Sequence, residues 1–294
     1  MKSFADQLRD DLVTIGEGAD ELIAASTIAY VGDRNRGGGV VFIAPDWVWG
    51  KATDEVRRLQ LRLLPEFDDF RDRLALLFES GPKDLRRKLR DQLDQVRRWI
   101  ARDDSDWGLP RTIDAAREEM RSRIAGLGDL INLAVQPTDL PNYIVVPDSS
   151  ALLDNPDLPS YAQLVDATAF KEIALVPAVL AELDLLKDQG RTQDVRDRAR
   201  AAGNAIKALR ARGSLPTGIN IDSSTTVRAR GSEPRLNQLP GRLDPAVPDD
   251  RIIGAILELQ RTTPNAIVVL VTPDINLQTK AEVARIPFAE PPQT

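Results

Sequence analysis

"AIVVLVTPDINLQTKAE" runs from Ala266 to Glu282. Its first six residues are all apolar and read as a strand buried on both faces, the kind that belongs inside a parallel sheet. An acid, Asp274, follows almost directly and opens a helical stretch. A carboxylate in that place either caps the next helix or lines a site at the C-terminal edge of the sheet, where open α/β folds put their ligands.

Working outward, "YIVVP" (Tyr143–Pro147) is a second strand of this kind and also ends in an acid, Asp148. "IALVP" (Ile173–Pro177) is a third, and a β segment lies near Ile219 to Val227. Helical patterns fill the intervals: "LPSYAQLVDATAF", "AVLAELDLLK", "DVRDRARAAGNAIKALRA", "DDRIIGAILELQ" and "INLQTKAEVA". Alternating strands and helices predict an α/β domain over residues 143–294, with a parallel sheet covered by helices on both faces.

Residues 1–135 have a different character and read as a mainly α-helical domain. Apolar stripes recur at helical spacing through Phe4, Leu8, Leu12 and Ile15. A second stripe joins Leu85, Leu89, Leu93, Val96 and Ile100, and a third joins Ile113, Ala116, Met120, Ile124, Leu127 and Ile131. With a helix around Val56 to Phe78, bent near Pro65, these predict a four-helix packing. "RGGGVVFIAPDWVWG" (Arg36–Gly50) breaks the pattern and reads as a loop with a strand or hairpin. Its glycines lack a P-loop Lys-Ser/Thr after them, and Trp47 and Trp49 read as core anchors before base-stacking platforms. The proline-bearing "AVQPTDLPNY" places a linker at residues 136–142.

The 294 residues contain no cysteine and no histidine. That excludes disulfides, thiolate zinc sites, thiol nucleophiles and every mechanism built on imidazole. Chemistry must come from carboxylates, hydroxyls, Lys and Arg, or from a hard cation held by oxygen ligands, for which magnesium and manganese are the natural candidates. The net charge of -6 argues against a broad basic coat. No apolar run reaches membrane-span length, and "MKSFADQLRDD" does not read as a secretory leader, so the expected location is cytoplasmic, without membrane association.

Taken singly, Asp148 and Asp274 read as helix caps; jointly they suggest one shared site, because parallel strands end on the same edge. Glu182 and Asp184 flank the stripe of Val179, Leu180, Leu183 and Leu186 at about 100° per residue, so only one of them faces the sheet edge. Asp249 reads as an N-cap and Asp250 as a first-turn acid, favoured there by the helix dipole.

These segments resemble the ordered motifs of PIN domain nucleases. "VVPDSSALLDNP", "VPAVLAELDLLK" with "RARAAGNAIKAL", "DDRIIGAIL" and "VVLVTPDINLQTKA" occur in the expected order, the last similar to T-x-D-x-N-L-x-x-K-A. The resemblance implies a quartet of Asp148, Glu182, Asp250 and Asp274 that binds one or two Mg2+ or Mn2+ ions and hydrolyses single-stranded RNA to 5'-phosphate and 3'-hydroxyl ends. It also implies that Ser149, Thr272 and Asn276 support those acids. An acidic site must still attract a polyanion, and Arg196, Arg200, Lys207 and Arg210 fall near one face of their helix, either as an RNA groove or as a solvated face. Arg228 and Arg230 are weaker additions to that groove.

Two rival readings accompany this one. Haloacid-dehalogenase-like phosphatases also place an Asp after the first strand, but they resemble D-x-D there, whereas this chain has "DSS". A PIN-like module could instead hold RNA or protein without cutting. The helical domain, similar to nothing named, is expected to regulate the nuclease, to self-associate or to recruit a protein partner.

Overall fold

The computed structural model describes residues 1–31, 46–103, 109–135, 141–230 and 243–293. Gly37–Gly39 and most of the expected linker lie outside these residues. The chain divides into two compact units, Ala5–Gln136, and Pro137–Thr294 together with Met1–Phe4.

The first unit is helical. It contains α1 (Phe4–Ala24), a short antiparallel ribbon of β1 (Ile28–Tyr30) and β2 (Trp47–Trp49), then α2 (Asp54–Phe78), α3 (Lys83–Ala101) and α4 (Ile113–Ala134). Thr53 and Thr112 start α2 and α4 by accepting the N–H of Val56 and Ala115, which satisfies donors the helix leaves open. The apolar stripes meet in one core, in which Leu8, Ile15, Leu63, Phe67, Val96, Ile100, Leu127 and Ile131 are all buried. Trp49 is buried edge-on against Trp99 at 6.1 Å, so it is a core anchor. Helix α2 runs unbroken through Pro65, at the level of the exposed Leu61, where water can reach the backbone carbonyl that proline leaves without its donor.

Charged groups tie the helices across the core rim. Arg73 bonds Asp11 at 2.5 Å and Gln7 at 2.7 Å, Arg97 forks onto Asp68, and Arg117 forks onto Asp20. The forked pairs hold both carboxyls below their usual range, through the Arg117 and Arg97 hydrogen bonds first.

The second unit is built on β3 (Tyr143–Pro147), β4 (Lys171–Leu175), β5 (Ile219–Asn220), β6 (Thr225–Ala229), β7 (Ile267–Val271) and β8 (Phe288–Ala289). Their order is β5-β6-β4-β3-β7-β8, parallel throughout except for the β5–β6 pair. Successive residues of a strand face opposite sides, yet Ile144, Val145 and Val146 are all fully buried, as are Ile173, Ala174 and Leu175. Both faces are therefore covered. The coverings are α5 (Ser149–Asp154), α6 (Pro177–Gln189), α7 (Gln193–Arg210), α8 (Pro248–Thr262) and α9 (Ile275–Val283). No described helix is long and apolar enough to cross a membrane.

Two local expectations are corrected, and one strand was not expected. "LPSYAQLVDATAF" forms only a 3-10 turn over Leu158–Leu164, and the residues after it are irregular before β4 begins. Asp249 is not an N-cap: Val247 takes that position, Pro248 begins α8, and both Asp249 and Asp250 sit in the first turn. The final parallel strand, β8, carried no sequence signal because it is only two residues long.

The 3-10 turn earns its place through Tyr161, which is fully buried and shares its hydroxyl between the carbonyl oxygens of Ala151 (2.7 Å) and Asn155 (2.8 Å) at the end of α5. Burial pushes the Tyr161 phenol well above its usual range, so it stays a donor. Tyr161→Phe is expected to cost about 1–2 kcal/mol, the usual loss for a buried hydrogen bond, read as a lower urea midpoint at unchanged slope. A midpoint equal to the wild type would show that this contact does not hold α5.

Gly203 lies in the middle of α7, where an added Cβ would meet nothing within 4 Å. Relative to alanine it costs the helix about 1 kcal/mol, and packing supplies no reason for it.

Candidate active site

The β3–β7 register pairs Pro147 with Val271, which brings Asp148 beside Thr272 at the C-terminal edge of the sheet. Three backbone ties fix this corner: Asp148 N–H to Val271 O (2.9 Å), Thr272 N–H to Ala289 O (3.1 Å), and the β7–β8 ladder below them. Thr272 is fully buried. Its hydroxyl donates to Asp148 Oδ2 at 2.7 Å and accepts the backbone N–H of Asp274 at 3.0 Å. One side chain thus links the acids that follow the neighbouring strands β3 and β7.

Asp148 is 2% exposed and caps α5, with Oδ1 accepting the N–H of Ala151 at 2.6 Å. Its carboxyl is pushed up to about 6, mainly by burial and further by the charges of Glu182 and Asp274, against the lowering effect of its two hydrogen bonds. Asp274 is exposed and caps α9, accepting from Asn276 N (2.7 Å) and Leu277 N (3.4 Å). The helix-cap role open to a strand-end acid is thus filled.

Glu182 is half-buried on α6 and close enough to Asp148 for the two charges to repel. Asp184, two residues on, is exposed and pairs with Lys187 at 3.0 Å. The α6 stripe thus turns Glu182, and not Asp184, towards the strand-end acids. Ser149, the first residue of α5, is buried.

Asp250 is placed differently. Its Oδ1 meets Lys280 Nζ at 2.7 Å and its Oδ2 accepts the N–H of Asp244 at 2.9 Å. The Asp244 hydrogen bond first, and Lys280 after it, hold the Asp250 carboxyl below its usual range. Lys280 also pairs with Asp249 at 3.3 Å, and Asn276 donates to Asp249 at 2.7 Å. Asn276 and Lys280 thus join α9 to the acidic first turn of α8. Lys280 was missed as a site residue, although the quoted final motif contains it; nothing in the spacing says which acid a lysine on another helix will meet.

Arg228 and Arg230 are also placed differently from the expected groove. Both reach Glu172, which is 3% exposed on β4, with Nε of Arg228 at 3.4 Å and Nη2 of Arg230 at 2.5 Å.

All-oxygen donors suit a hard cation, and among the described residues each Asp148 oxygen takes one hydrogen bond, leaving a lone pair for a metal. Asp148, Glu182 and Asp274 fit that role by chemistry and by mutual repulsion. Among the described residues, however, no three acids lie close enough together to hold one ion, and Lys280 supplies the counter-charge to Asp250.

The domain is a mostly parallel α/β sheet with acids after the neighbouring strands β3 and β7. Residues 145–290 match the family model of the PIN domain, so the C-terminal half of the chain is a PIN domain; no family matches the N-terminal half. PIN domains are generally nucleases and usually use divalent metals. No curated protein matches the chain.

Proposed function

We propose that the protein is a metal-dependent endoribonuclease that hydrolyses single-stranded RNA at Asp148, Glu182, Asp250 and Asp274. The observation that carries this reading is Asp148, a buried carboxyl pushed up to about 6 by burial and by two neighbouring acids. An acid so placed is relieved by a cation. Bound Mg2+ or Mn2+ would neutralise the carboxylates and supply an activated water for in-line attack on a phosphodiester. Asp148, held in one orientation by Ala151 N–H and Thr272, would be the fixed ligand. Glu182 and Asp274 would close on it from α6 and from the end of β7. Asp250 would join after Lys280 gives it up, and Lys280 is then free to meet a phosphate oxygen. The helical first unit would regulate the nuclease or recruit a partner.

Cleavage of mixed single-stranded RNA in manganese, magnesium or EDTA tests the proposal. Metal-dependent cutting is expected in the wild type and is expected to fall at least 100-fold in Asp148→Asn and in Asp274→Asn, the scale on which lost metal ligands act. Asp184→Asn should be far milder, since Asp184 faces solvent. Full activity in both ligand variants would sink the site assignment. No cutting by the wild type under any metal would favour a non-catalytic binding module.

A further inference from the structure

On α7, taken at about 100° per residue, Arg210, Gly203, Arg196, Lys207 and Arg200 follow one another around a strip about 80° wide and about 21 Å long. The acids of the helix, Asp194 and Asp197, lie outside this strip, and the buried Ala199, Ala202 and Leu209 lie on its other side, Ala199 directly beside Arg210. Arg200 has an exposed pair with Asp197 at 2.8 Å, and Arg196 donates to Gly190 O and to Gln193. Lys207 and Arg210 are exposed and make no ion pair among the described residues. Helix α7 packs along α6 and against α5, the two helices that carry Glu182 and follow Asp148.

The glycine is the informative residue. A helix interior disfavours it, and nothing in the fold needs the space at Gly203, since a Cβ there would meet no atom within 4 Å. What glycine does provide is a gap midway along a row of cations, where a chain of phosphates can lie close to the helix with guanidinium and ammonium groups on either side. A protein partner would call for apolar anchors, and the strip has none.

We propose that this face of α7 is the docking track for the backbone of single-stranded RNA, with Gly203 as the point of closest approach. This deepens the ribonuclease reading and rests on it for the choice of RNA as the occupant. Binding is expected to be salt-dependent and indifferent to sequence, because phosphates alone are read.

The test measures anisotropy of a labelled single-stranded RNA in EDTA with the full chain, and metal-dependent cleavage separately. Lys207→Glu with Arg210→Glu should weaken binding at least 10-fold and flatten its salt dependence. Gly203→Leu should weaken binding several-fold while raising the melting temperature by about 2–4 °C, a combination that damage to the fold cannot produce. Wild-type binding by both variants would overturn the track, and if the wild type still cleaves, the nuclease reading survives that result. Loss of binding in the variants without any wild-type cleavage would support the track and remove the nuclease. Capture of polyglutamate but not RNA by the wild type would overturn the assignment of RNA.

Discussion

Asp148→Asn is expected to stabilise the fold while it removes activity. In EDTA at pH 8 the variant should melt above the wild type, and near pH 4, where the folded wild type holds the group neutral and only the amide mismatch remains, the order should reverse. The unfolded chain releases this proton near the ordinary 3.8, whereas the folded chain keeps it until about 6. Between those values unfolding releases a proton, so stability falls as pH rises; above about 6 both forms are ionised and the full penalty is present. The gap corresponds to about 3 kcal/mol, an upper figure for the gain on neutralising the group. Asparagine keeps the carbonyl that accepts from Ala151 N–H but turns an amide towards Thr272, so a net gain of about 1–2 kcal/mol is the expected size. A divalent ion should raise the melting temperature of the wild type and leave that of the variant unchanged. A variant that melts below the wild type at pH 8 would contradict this account of the site, whatever its activity.

The second large effect is expected at Glu172, a stability residue on the same sheet. Glu172→Ala should lower stability by about 3 kcal/mol, the low end for breaking a buried ion pair, because Arg228 and Arg230 are partly exposed to water. Both guanidinium groups share the one carboxylate, Arg230 at Oε1 and Arg228 at Oε2. Removing the acid leaves two guanidinium groups without their shared counter-charge, and Gly218 beside Arg228 cannot gain a side chain to fill the gap, since its φ is +99° and an added Cβ would lie 2.8 Å from Thr226. Replacing Glu172, Arg228 and Arg230 together by methionine should recover most of the loss, since the remaining cost would be packing alone. The urea midpoint measures both, and a loss under about 1 kcal/mol in Glu172→Ala would reduce the triad to surface ion pairs.

That Asp148 and Asp274 share one edge of the sheet follows from local rules, because all-apolar strands belong in a covered parallel sheet. That β3 and β7 are neighbours, and that one Thr272 hydroxyl serves both acids, was decided by the fold. The stripe of Val179 and Leu183 on α6 showed only that one of Glu182 and Asp184 faces the sheet edge; the resemblance implied Glu182, and α6 turns that residue inward. The 3-10 turn at Leu158 and the two-residue β8 were not legible. Each is too short to have a period, and each is held by contacts from distant residues, such as the Tyr161 hydroxyl on α5.

Residue order alone therefore settled the α/β class, the strand-end acids, and the exclusion of imidazole and thiol chemistry, because burial patterns and missing residue types need no partner to be read. Which cation answers which acid was settled by packing. Lys280 meets Asp250 across 30 residues, and Arg228 and Arg230 turn in to Glu172 instead of out to solvent. A long flexible side chain has no preferred partner in the sequence; burial and the relative placement of α8 with α9, and of β4 with β6, choose it.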